Sequence, residues 1–165
     1  MDIGFREIDR WHRSRGWRMC GYHIIIRRDG TLEDGRELSA SGAHARGYNS
    51  KSVGLCMIGG VGDDRVTPED NYTDDQWTAL QRLLVALKDL YPQARIIGHN
   101  EISSKACPSF DVQQWLSINS LTNATEVPRD SADELVNELD QHGWIRGSTS
   151  KASEHIRNNW EIAKK

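Results

Sequence analysis

The stretch TDDQWTALQRLLVALKDLYP, residues 73–92, decides the architecture. Trp77, Leu80, Leu84, Leu87 and Tyr91 recur at helical spacing and make one apolar face. Thr73 can cap the first turn, Asp74 and Asp75 suit the positive end of the helix dipole, and Pro92 lies past the end. Short apolar runs flank this helix. SVGLCMIGG (52–60) precedes it, and its continuous hydrophobicity predicts a central strand with both faces covered. ARIIGHN (94–100) follows as a further strand, which puts His99 near that strand's end. A helix crossing over between two strands predicts an α/β or α+β sheet with helices packed on it.

The pattern continues toward both termini. YHIIIRRDG (22–30) reads as a buried strand that turns at Asp29-Gly30, a pair suited to a tight hairpin. Ahead of it, Ile8, Trp11 and His12 fall at helical spacing, with Gly16 as a stop. SFDVQQWL (109–116) is a short closing helix. These elements define a domain over residues 1–117. Residues 118–130 are Ser/Thr/Asn-rich without apolar period and read as a linker. Residues 131–165 read as a helical extension, opened by a capping-box spacing at Ser131 and Glu134.

Composition narrows the function. The 21 Lys+Arg against 24 Asp+Glu give a net charge of -3, not the strongly basic balance of a nucleic-acid binder. No apolar run approaches the ~20 residues of a membrane helix. The start, MDIGFREIDRW, lacks the apolar segment of a secretory signal, so a cytoplasmic product is expected. Three cysteines, an odd number, point to free thiols or a metal ligand rather than a disulfide framework.

One segment concentrates chemistry. GHNEISSKACPSFD (98–111) carries His99, Lys105 and Cys107 within a few residues. An imidazole and a thiolate are ligands that zinc prefers, and a lysine beside them can stabilise a developing oxyanion. The same residues also suit a polar loop with a small buried thiol, because free cysteine often serves as a small hydrophobe. Elsewhere, Tyr22 on an apolar strand reads by itself as core or rim. His23, its neighbour, points to the opposite sheet face and reads as a satisfied core histidine. Cys56 reads as packing, Cys20 has no evident partner, and His12 beside Trp11 reads as exposed or capping.

Five stretches in order extend the picture: REIDRWHRSRGW, GYHIIIRRDGTLEDGR, GAHARGYNSKSVGLCMIGG, YTDDQWTALQRLLVAL and HNEISSKACPSFD. Together they resemble the zinc-dependent N-acetylmuramoyl-L-alanine amidases of the peptidoglycan-recognition type, and within them the amidase endolysins of T-odd coliphages. The resemblance implies a central mixed β-sheet flanked by helices, with a groove for zinc and for the glycan-peptide substrate. It implies His99 and Cys107 as zinc ligands and Tyr22 and Lys105 as a catalytic pair. It implies His44 as a wall of the substrate groove, with Tyr48 and Asn49 in the turn beside it. The activity implied is hydrolysis of the bond between N-acetylmuramic acid and L-alanine in bacterial peptidoglycan, by a phage endolysin held in the host cytoplasm until release.

One family feature is missing. There, a strand ahead of the first helix ends in a histidine that supplies a third zinc ligand; here only Met1 precedes Asp2. Three accounts stand open: an internal start or truncation, substitution by His44, or decay of the metal site. The last would leave a binding protein for peptidoglycan or for a phage RNA polymerase, which coliphage members of the family also bind.

Overall fold

Three consecutive isoleucines at the centre of the sheet set the layers. The computed structural model describes residues 3–121. Ile24–Ile26 form strand β1, and all three side chains are fully buried. Neighbouring residues on a strand point to opposite faces, so a run with no polar member must be covered on both sides. Ile24 and Ile26 enter a core with Leu80, Leu83, Leu84 and Leu87 of helix α2 (Asp74–Leu90) and with Val112 and Leu116 of helix α3 (Val112–Ile118). Ile25 enters a second core with Ile8 of helix α1 (Phe5–Ser14), Cys20 and Ile58. The sheet thus lies between α1 on one face and α2 with α3 on the other.

Strand β2 (Leu32–Asp34) pairs antiparallel with β1, joined by the turn at Gly30, whose φ of 79° suits glycine. Strand β3 (Leu55–Met57) pairs parallel with β1, Ile25 opposite Cys56. The mixed sheet has the order β2-β1-β3. Two expectations change here. The run 52–60 is covered on both faces, Leu55 and Met57 toward α2 and Cys56 toward α1, yet it stands at an edge and β1 is central. The run 94–100 forms no ladder among the described residues, and His99 opens a 3₁₀ turn, His99–Glu101, instead of ending a strand. Apolarity marks burial, but a strand also needs a partner along its edge.

The helix ends follow their capping residues. Thr73 accepts from the Gln76 backbone N–H and completes a capping box at the start of α2. Asp111 caps α3 by accepting from the Gln114 backbone N–H. Leu121, at the end of the described chain, is buried in the α2–α3 core. The linker and the helical extension expected beyond it lie outside the described residues.

A polar knot ties three elements together. Gln76 is fully buried, and its Nε2 donates to the carbonyls of Ile26 (3.2 Å) and Ile58 (2.9 Å). Its Oε1 accepts from Arg28, which also donates to the Asn71 carbonyl at 2.6 Å. Removing one side of such a set strands buried carbonyls at about 1–3 kcal/mol each. Gln76→Met, which keeps the volume, is therefore expected to destabilise the domain by roughly 3 kcal/mol. A denaturant midpoint equal to that of the unmodified protein would contradict this.

Candidate active site

The segment before β1 is where backbone and chemistry meet. Tyr22 packs beside Cys56 on the α1 side of the sheet, and its hydroxyl makes no hydrogen bond among the described residues. Burial raises the Tyr22 hydroxyl pKa well above the usual phenol value, with Cys56 and Cys107 adding to the rise. Tyr22 therefore stays protonated at neutral pH and can act as a hydrogen-bond donor. His23 behaves as expected of a core histidine: Nδ1 accepts from the Gly54 N–H at 2.9 Å and Nε2 faces the Ala40 carbonyl at 2.9 Å.

His44 sits 6.4 Å from the Tyr22 ring and 5.5 Å from the His23 ring, centroid to centroid. Gly42 and Gly54 leave the space it fills, since a Cβ on them would come within 2.3 Å and 2.2 Å of the imidazole. Its Nε2 is buried without a partner among the described residues. Burial first, then His23, lowers its pKa to about 4, so the ring is neutral at pH 7. Asn49 holds the turn around it, accepting through Oδ1 from the N–H groups of His44 and Ala45, both at 2.8 Å. Tyr48 lies beside them with the Lys51 ammonium 4.8 Å from its ring centre.

Those shifts set the direction of acid sensitivity. A histidine whose folded pKa lies below its ordinary 6.5 binds protons more readily in the unfolded chain. The stabilisation is complete above about pH 6.5 and is lost as pH falls toward 4. His12, His23 and His99 shift the same way, each chiefly through burial. The thermal midpoint should fall steadily between pH 7 and pH 4; a midpoint that rises on acidification would contradict the assignment.

The loop bearing Cys107 folds back beside His99. The Asn100 N–H donates to the Cys107 carbonyl at 2.7 Å, which brings the two candidate ligands onto adjoining backbone. Tyr72 and Ser109 fasten the far side, Tyr72 Oη donating to the Pro108 carbonyl (2.8 Å) and Ser109 Oγ to the Gly60 carbonyl (2.6 Å). Neither residue stands out in sequence, because each works through a backbone atom far along the chain. Burial and the Lys105 charge both lower the His99 pKa, which favours the neutral ring with one nitrogen lone pair free. Cys107 is exposed at the surface, but the protein around its thiol raises the pKa while Lys105 opposes the rise. Lys105 thus acts on both groups.

The fields of these side chains overlap: His99 bears on His44, and Cys107 bears on Tyr22 and Tyr72. Tyr22, His44, His99, Lys105 and Cys107 therefore share one neighbourhood. The donor chemistry of His99 with Cys107 fits zinc, but two donors fall short of the three a catalytic zinc takes. Among the described residues no group of three or more His, Cys, Asp or Glu could hold a metal, so His44 does not complete the set. Two further expectations need correction. His12, read as exposed or capping, is 8 % exposed, and Trp11, placed with Ile8 and His12 by helical spacing, is 42 % exposed and does not share their burial. No helix among the described residues is long and apolar enough to cross a membrane.

Comparison with known proteins bears on this arrangement directly. The sequence pattern of the family described as N-acetylmuramoyl-L-alanine amidase (Amidase_2) matches residues 4–110, which include all five of those side chains. The endolysin of Enterobacteria phage K11 is 49% identical over 124 residues, spanning 75% of this chain and 82% of that protein. The endolysin of Escherichia phage T7 is 46% identical over 123 residues, spanning 74% and 81%. Among solved structures, the N-acetylmuramoyl-L-alanine amidase LysC from Clostridium intestinale URNW is similar at a TM-score of 0.61 with 28% identity, over 72% of this chain and 77% of that one. A family pattern across most of the described fold, and a relative 49% identical over the 124 residues that align, lead to one conclusion: the chain belongs to the N-acetylmuramoyl-L-alanine amidase family.

Proposed function

We propose that this amidase is a zinc-dependent phage endolysin that cuts the amide bond between N-acetylmuramic acid and L-alanine in bacterial peptidoglycan and reaches the wall after release from the host cytoplasm. What supports the reading is the electrostatic influence of His99 on His44, of Cys107 on Tyr22 and of Lys105 on both candidate ligands, inside the segment that matches the family. His99 and Cys107 are the residues that would hold the metal. A bound zinc supplies Lewis-acid polarisation of the carbonyl and a water acidic enough to attack it near neutral pH.

The side chains account for the remaining steps. Lys105 carries a positive charge beside both ligands and would share the negative charge of the tetrahedral oxygen. Tyr22, kept protonated by burial, would orient the attacking water or pass a proton to the leaving alanine nitrogen. His44 walls the groove as a neutral ring, and Tyr48 and Asn49 shape the turn that carries it.

The alternative is a metal-defective relative that binds peptidoglycan or a phage RNA polymerase without cutting anything. Digestion of purified peptidoglycan separates the two. The amidase reading expects new alanine amino groups without new reducing sugar ends. Binding to the wall without release of either, in the full chain supplied with zinc, would reject it.

A further inference from the structure

Helix α1 contributes two side chains whose hydrogen-bonding groups face the backbone just ahead of Tyr22. Asp9 and His12 are three residues apart and so lie on the same side of the helix. The Cys20 N–H donates to Asp9 Oδ1 at 2.7 Å, and the next N–H, that of Gly21, donates to His12 Nδ1 at 3.0 Å in a buried contact. Arg13 holds the other Asp9 oxygen at 2.6 Å, which fixes the carboxylate and keeps it ionised. The His12 ring is stacked on Trp17 at 4.4 Å and tilted against Tyr22 at 5.7 Å.

The carbonyls of the same segment are held from the other side. Arg36 Nε donates to the Cys20 carbonyl (2.6 Å), the Ala43 N–H to the Gly21 carbonyl (2.9 Å) and the Arg36 N–H to the Tyr22 carbonyl (2.9 Å). Three consecutive residues leading to Tyr22 are therefore pinned through backbone atoms alone. That leaves the Tyr22 side chain free to face the site. Such anchoring matters for catalysis, because a displacement of about 1 Å in an acting group can cost on the order of a hundredfold in rate.

We propose that His12 is a positioning residue of the amidase: by accepting the Gly21 N–H, with Asp9 accepting that of Cys20, it sets the place of the Tyr22 hydroxyl. The inference rests on the role proposed for Tyr22, but the hydrogen bond to Gly21 can be tested without it. Because Nδ1 accepts, the proton of the neutral ring belongs on Nε2.

Two substitutions separate the acceptor from the ring. His12→Phe keeps a ring against Trp17 and Tyr22 but has no acceptor. His12→Asn loses the ring but places an oxygen where Nδ1 stood. Under the proposal, His12→Phe speeds hydrogen exchange at the Gly21 amide and lowers kcat about ten- to a hundredfold with KM little changed. His12→Asn recovers much of both. In a Tyr22→Phe background, His12→Phe costs nothing further in kcat.

Normal Gly21 protection in His12→Phe would overturn the proposal, as would an equal further loss of kcat in the Tyr22→Phe background. Should Tyr22→Phe itself be fully active while Gly21 exchange responds as stated, the role of Tyr22 would fall and the backbone clamp would stand. The unmodified protein gives a check that does not depend on any variant folding. Its imidazole nitrogen shifts should report an Nε2–H tautomer for His12, and an Nδ1–H tautomer would sink the clamp.

Discussion

Tyr22→Phe is expected to lower kcat for wall hydrolysis by roughly 100- to 10,000-fold, the usual contribution of a well-placed proton donor. The change removes one oxygen and leaves the ring contacts with His12 and His44 intact. That oxygen makes no hydrogen bond among the described residues, so the fold has little to lose. Stability should stay within about 0.5 kcal/mol of the unmodified protein, as for a substitution that breaks no structural contact. Loss of rate without loss of stability is the signature of a functional hydroxyl. Release of alanine amino groups from purified wall, measured beside a denaturation curve, gives both quantities. An unaltered rate would remove Tyr22 from the site.

The second large effect belongs to Cys107. Cys107→Ser exchanges a thiol that can ionise and bind zinc for a hydroxyl that stays protonated at neutral pH. Two protein ligands hold zinc far more weakly than three, and losing one of them leaves His99 alone among the described candidates. Both metal content after dialysis and lytic activity are expected to fall to background together. Retained lysis in this variant would reject the assigned metal site. No zinc in the unmodified chain, with wall binding preserved, would favour the binding-protein alternative.

Parts of this arrangement can be read directly from residue order. Helix α2 is legible because its apolar period, Thr73 cap and flanking Pro92 all agree. Strand β1 is legible because nothing but a doubly covered strand suits three isoleucines before a turn. The run 94–100 misleads, since Ile96 and Ile97 carry the apolar signal of a strand but pairing depends on what lies alongside. His12 misleads for a related reason: its partner, the Gly21 N–H, comes beside it only once α1 has packed on the sheet.

The site divides in the same way. His99, Lys105 and Cys107 can be picked out because they fall within one short segment. Tyr22 and His44 enter only through likeness to a family, since Tyr22 reads by itself as core or rim and the Gly-rich loop of His44 has no periodicity to read. Tyr72, Ser109 and Asp9 escape altogether, because each acts on a backbone group distant in the chain.

The Gln76 knot has a consequence for how the domain comes apart. One amide side chain joins the ends of β1 and β3 to the first turn of α2, so none of the three can fray without stranding the others' carbonyls. Opening there should be all-or-none. The Gln76, Trp77 and Ile58 amides should exchange with deuterium at one common, slow rate, while the exposed turn around Val66 exchanges early.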